Sequence, residues 1–204
     1  MTNDIDFIHI GYHKTASSYL QLEYFKKYNS LLCANCEENK INSWVYNNLI
    51  NIDPYLFEAS KFKDEFCRKV NFQNQFNYYI SEENLSGDIY SGIDSSLIMR
   101  RIYEAFGKTK ILIVIRNQID WLLSAYSNYV IDGGVKSIEK WLFSPLTKNG
   151  QILEKIKYSR LIKAYQELYG TNNIHVICYE NLWSETKGIQ NFLKNIINLD
   201  ENNI

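Results

Sequence analysis

The chain has 204 residues, of which 46% are hydrophobic, so it can bury one proper core. Its net charge of −1 and pI of about 6.3 argue against general nucleic-acid or anionic-membrane binding, so any positive potential must be local. No stretch approaches the ~20 apolar residues that span a bilayer, and the acidic start (Asp4, Asp6) lacks the basic flank of a signal peptide, so a cytoplasmic protein is expected.

The first predicted element is a buried strand over residues 5–11, with Phe7–Ile10 apolar and Gly11 ending it. Lys14, Thr15, Ser17 and Ser18 follow, and a helix is expected over roughly 15–28. A strand that turns into a helix around a lysine and hydroxyls makes an anion site. The first-turn N–H groups point at the ligand, and the helix dipole favours negative charge there. Residues 40–77 are polar and aromatic and read as short helices over one face. Tyr78–Ser81 is a second short buried strand, which opens onto Glu82 and Glu83.

A helix is predicted over 94–106, with Gly107 as its C-terminal stop. A strand over 110–115 ends at Arg116, and a helix over 119–131 runs to the break at Gly133–Gly134. A short helix over 137–143 precedes Pro145. Residues 151–169 read as one long amphipathic helix stopped by Gly170. A last strand (174–178) leads to Tyr179 and Glu180, and a final helix covers 185–198 before a polar tail. Strands that are apolar throughout and alternate with helices predict an α/β fold: one domain over 1–204, with a three-layer, mostly parallel sheet and helices on both faces. Ligands in such sheets bind beyond the carboxyl ends of the strands. Residues 11–18, 81–83, Arg116 and residues 179–180 should therefore converge on one edge.

The first loop is not a Walker A loop, which needs a glycine directly before its lysine; His13 stands there. It resembles instead the 5′-phosphosulfate loop of sulfotransferases that use 3′-phosphoadenosine 5′-phosphosulfate (PAPS), roughly Gly-x-x-Lys-[Ser/Thr]-Gly-Thr-[Ser/Thr]. Gly11, Lys14, Thr15, Ser17 and Ser18 match, and Ala16 replaces the usual glycine. Alanine there costs about 1 kcal/mol or more if φ is positive, and is favourable if the residue is already helical. The stretch Arg116 to Tyr126 resembles the family's 3′-phosphate motif, Arg-Asn-Pro-x-Asp-x-x-x-Ser-x-Tyr, with Gln118 for the proline. Arginine's planar fork suits a phosphate, and Ser124 supplies a further donor. A plain pairing of Arg116 with Asp120 is the bland alternative.

Three further readings rest on the same resemblance. Ser81-x-Glu83 is similar to the Ser-x-Glu loop of glycan-type and bacterial sulfotransferases, whose glutamate takes the acceptor proton. Glu83 is the preferred base, with Glu82 and His13 as runners-up; alternatively one glutamate caps the next helix and the other faces water. Residues 178–182 resemble a Tyr-Glu-Asp-Leu element with Asn181 for Asp, read as architectural, with Glu180 bracing the donor loop or an arginine. The Arg-Lys-Gly motif of small-molecule sulfotransferases has no match after residue 184, which points toward carbohydrate-type enzymes.

The resemblance thus implies a bacterial, carbohydrate-type sulfotransferase that moves a sulfuryl group from PAPS to a hydroxyl of a glycan or other acceptor, with no metal required. Gly11, His13, Lys14, Thr15, Ala16, Ser17, Ser18, Arg116 and Ser124 would bind the donor, and Lys14 and a glutamate would act in the chemistry. A P-loop kinase using ATP and Mg²⁺, or a non-catalytic protein on the same fold, are the alternatives. His9 and His175 read as sheet residues. Cys33 and Cys36 lack the second ligand pair of a zinc site and read as incidental thiols.

Overall fold

The computed structural model describes residues 5–35 and 41–199. β1 (Phe7–Gly11) leads into α1 (Ser17–Tyr19), which continues as a π-helical stretch (Leu20–Tyr24) and a 3-10 turn (Phe25–Lys27). β2 (Leu31–Cys33) follows, then α2 (Ile41–Val45) with a second π-helical stretch (Tyr46–Ile50), then α3 (Ala59–Val70). β3 (Asn77–Glu82), α4 (Ser95–Phe106), β4 (Lys110–Ile115) and α5 (Gln118–Ile131) form the middle of the chain. The last part contains α6 (Ile138–Leu142), α7 (Gln151–Lys155), α8 (Tyr158–Tyr169), β5 (Ile174–Cys178) and α9 (Ile189–Ile196).

The strands form one sheet in the order β2-β3-β1-β4-β5, with every neighbouring pair parallel. Side chains alternate across it as the pleat requires. Ile8, Ile10, Tyr78, Ile80, Ile111 and Ile113 point to one face, packed by α3, α4 and α8. Phe7, Tyr79, Leu112 and Val114 point to the other, packed by α9 and the helical turns after β1. Burial on both faces explains why these strands are apolar throughout. The expected α/β layering is therefore present. No described helix is long and apolar enough to cross a membrane.

The structure corrects several expectations. Strand β2 was not anticipated, because three residues, Leu31-Leu32-Cys33, are too short to show a period. The helix expected over 151–169 is two helices, interrupted at Ile156 and Lys157. Ile152 and Ile156 pack with Trp121 and Trp141, whereas Tyr158, Tyr165 and Tyr169 pack in the main core. A straight helix places residues 156 and 158 about 200° apart, so one rod cannot serve both clusters in this way. The final helix begins at Ile189 rather than 185. A Cβ on Gly188 would lie 2.3 Å from the Leu182 carbonyl oxygen, so the chain folds back tightly before helix can form.

Arg101 holds one helical layer together. It is 2% exposed and donates to the carbonyls of Leu49, Ile50 and Ile52, at the end of the Tyr46–Ile50 stretch. Arg101→Met keeps the apolar bulk but leaves three carbonyls without a donor. At about 1–3 kcal/mol for each buried group left unmet, urea denaturation should show a loss of about 2–3 kcal/mol, as neighbours recover part of the bonding. An unchanged midpoint would remove Arg101 from this role.

Candidate active site

Three adjacent central strands deliver the predicted residues to the same edge. β1 ends in the Lys14 loop, β3 in Glu82 and Glu83, and β4 in Arg116. The loop after β1 is tightly built. A Cβ on Gly11 would sit 2.2 Å from Ser17 Oγ and 3.2 Å from Ser17 Cβ, so the helix start packs closely on the strand end. Thr15 Oγ1 donates to the Tyr12 carbonyl, and Trp121 Nε1 of α5 donates to the His13 carbonyl. Lys14 and Ala16 both have positive φ, 67° and 64°. The helix consequently starts at Ser17 rather than at 15.

Ala16 therefore occupies a left-handed position, where an L-residue is strained by roughly 1–2 kcal/mol. Ala16→Gly relieves that strain and raises the unfolded chain's entropy, leaving a net gain of about 0.5–1 kcal/mol. Thermal unfolding should rise by roughly 2–4 °C per kcal/mol for a domain of this size. A lower melting temperature would contradict the left-handed geometry.

Lys14 Nζ donates to Asn128 Oδ1 of α5 at 2.7 Å. Arg116 Nη1 donates to the Lys14 carbonyl at 3.2 Å, and its guanidinium lies over the Tyr179 ring, 4.7 Å from the centroid. Its buried Nε has no hydrogen-bond partner among the described residues. Arg116 does not pair with Asp120; Asn117 Oδ1 instead accepts from the Ile119 and Asp120 amides and caps α5. Glu180 accepts from the Asn117 amide at 2.7 Å, so it braces the turn after Arg116. Ser124 is half-buried on α5. It lies three residues after Trp121 and four before Asn128, on the helix face that meets the loop. Ser18, at the outer end of the loop, is exposed.

The two glutamates have different surroundings. Glu82 is a cap: its Oε1 accepts from the Asn84 amide and from Asn84 Nδ2. Burial pushes the Glu83 carboxyl above the ordinary glutamate range. The Ser17 hydroxyl and the Lys14 charge pull it back, and Glu82 pushes it further up. Ser17 Oγ is itself buried without a well-formed hydrogen bond. Glu83 thus faces the loop and Glu82 does not.

His13 is buried, and burial followed by the Lys155 charge lowers it to about 3. Its ring is therefore neutral at physiological pH. His9 pairs with Ser81 Oγ through Nδ1 at 2.7 Å inside the sheet, and burial holds it at about 4. Cys36 lies outside the described residues.

Sequence reasoning did not single out Asn128, nor the ring pair of Tyr19 and Trp183. Those two rings meet edge to face, 5.3 Å between centroids, beside the loop. Their half-exposed aromatic character was visible, but nothing in the linear order joined residue 19 to residue 183.

No protein-family model matches the sequence, and no curated protein does. Among solved structures the chain is similar to a sulfotransferase from Alicyclobacillus acidocaldarius. The TM-score is 0.69, over 97% of this chain and 82% of that one, at 16% identity. The protein has the sulfotransferase fold: a five-stranded parallel sheet flanked by helices.

Proposed function

We propose that the protein is a PAPS-dependent sulfotransferase that acts on a hydroxyl of a carbohydrate or glycoconjugate. The observation that carries this reading is the meeting of Lys14 and Arg116 on one stretch of backbone, with Arg116 Nε buried and without a partner among the described residues. A buried donor left unmet next to two cations fits a phosphate oxygen. The close approach of Ser17 to Gly11 fits a loop that closes around such a group.

In this reading the amides and hydroxyls of residues 15–18 hold the 5′-phosphate, and Arg116 with Ser124 holds the 3′-phosphate. His13 contributes through its backbone, and Tyr19 with Trp183 offers a stacking surface for a purine. The donor supplies an electrophilic sulfur. The acceptor oxygen attacks it in line, the bond from sulfur to the bridging phosphate oxygen breaks, and the acceptor proton passes to Glu83. Lys14 neutralises charge as it grows on the departing phosphate.

Calorimetry tests the donor assignment. Adenosine 3′,5′-bisphosphate should bind at least tenfold more tightly than adenosine 5′-monophosphate, a difference of about 1.4 kcal/mol. The preference should vanish in Arg116→Ala. Equal affinity for the two nucleotides in the unaltered protein would end this reading.

A further inference from the structure

Behind the donor loop, between α4 and the α7–α8 corner, lies a cavity of about 280 Å³. Its walls include Tyr12, Ser86, Ser95, Ser96, Lys155 and Tyr165. None of the groups assigned above to donor or base lines it. Its charge balance is positive: the exposed Lys157 and Arg160 also border it, and both pair with a single carboxylate, Glu154.

Lys155 is 8% exposed. Its Nζ donates to the carbonyl of Asp88 at 2.5 Å and to that of Gly87 at 3.4 Å. Among the described residues no carboxylate touches it; Asp88 acts on it only from a distance. Its other neighbour is the face of the Tyr12 ring, 5.7 Å from Nζ to the centroid; a buried ammonium met by two carbonyls and a ring, with no carboxylate in contact, is a costly arrangement that a further acceptor would relieve. Tyr165 is 1% exposed, and its hydroxyl has no partner among the described residues. Leaving such a group unmet costs about 1–3 kcal/mol. The first turn of the 12-residue helix α4 opens on the same space, and Asp94 gives it no side-chain cap. Helix starts of this kind attract anions.

We propose that this cavity is a second anion site, taking a small sugar-sized ligand whose oxyanion sits among the Lys155 ammonium, the first turn of α4 and the Tyr165 hydroxyl. The serine hydroxyls of the wall match the hydroxyls of a polyol body. The volume lies at the small end of ligand pockets, which suits one sugar ring rather than a chain.

The test uses the full chain carrying Lys14→Ala and Arg116→Ala, so that the donor loop does not compete. It is titrated by calorimetry with glucuronate, glucose 6-phosphate and neutral glucose. One-to-one binding of at least one acidic sugar is expected, with glucose at least tenfold weaker. The two acidic probes tell a carboxylate ligand from a phosphate one. Adding Tyr165→Phe or Ser96→Ala should weaken the acidic sugar at least tenfold, and Lys155→Met should abolish its binding. Tyr165→Phe removes one oxygen only, so it decides the matter even if Lys155→Met does not fold. Failure of both acidic sugars to bind, glucose binding equally well, or binding that ignores Tyr165→Phe and Ser96→Ala overturns the proposal. No nucleotide enters the experiment, so a negative result leaves the donor reading intact.

Discussion

Glu83→Gln should lower turnover by about 10²–10⁴, the usual contribution of a positioned proton acceptor, while Glu82→Gln should leave it within a few-fold. The contrast comes from where the two carboxyls point. Glu82 Oε1 is occupied by the Asn84 amide and side chain, and a glutamine oxygen can accept the same two bonds. Glu83 is set among Ser17, Lys14 and Glu82, and burial makes it a stronger base than an exposed glutamate. Turnover should therefore rise with pH through a midpoint above the ordinary glutamate range.

The sign for stability is the opposite. A carboxyl whose folded pKa is raised contributes most when protonated, and that contribution is lost as pH climbs through the raised value. At neutral pH the glutamine variant should therefore melt no lower than the unaltered protein, so lost turnover cannot be blamed on unfolding. Steady-state kinetics of the two variants settle the assignment: equal losses would refute it, as would a fully active Glu83→Gln.

Lys14→Ala should cost about 10²–10³ in turnover, by comparison with removing one donor to a developing oxyanion. Affinity for adenosine 3′,5′-bisphosphate should fall much less. The variant keeps the Lys14 carbonyl that receives Arg116 and the backbone amides of the loop, so it loses mainly what acts as the bridging bond breaks. Without ligand the ammonium rests on Asn128 Oδ1. That partner is neutral, so it releases the lysine more easily than a carboxylate would. Single-turnover kinetics beside calorimetry separate the two effects. Wild-type turnover in this variant, or a binding loss as large as the rate loss, would contradict the role.

Much of this was legible in the linear order, for identifiable reasons. Phe7–Ile10 and Ile111–Ile115 are covered on both faces, so their composition alone marks central parallel strands. Gly11, Lys14 and Arg116 follow those strands directly, and the sheet brings them together. Other features depended on tertiary contacts. The left-handed turn at Ala16 belongs to the loop as a whole, and no propensity of alanine suggests it. The break at Ile156 exists because two separate clusters need residues from one stretch. Asn128 meets Lys14 only because α5 crosses above the loop; its own neighbours in sequence carry no hint of it.

The order β2-β3-β1-β4-β5 puts Glu83, the Lys14 loop and Arg116 at the ends of three consecutive inner strands. Their lateral separation is fixed by the ladder at about 4.8 Å per step, not by the length or stiffness of any loop. Slippage of β3 by one position would exchange the faces to which Ser81 and Glu82 point and carry Glu83 along with them, so a pairing error in this sheet would also misplace Glu83. The two margins are tied to this middle: Tyr179 and Glu180, after β5, meet Arg116 and the Asn117 amide, and Asn35, after β2, bonds the Ser81 backbone. Wear at either rim of such a scaffold would therefore be felt at its middle.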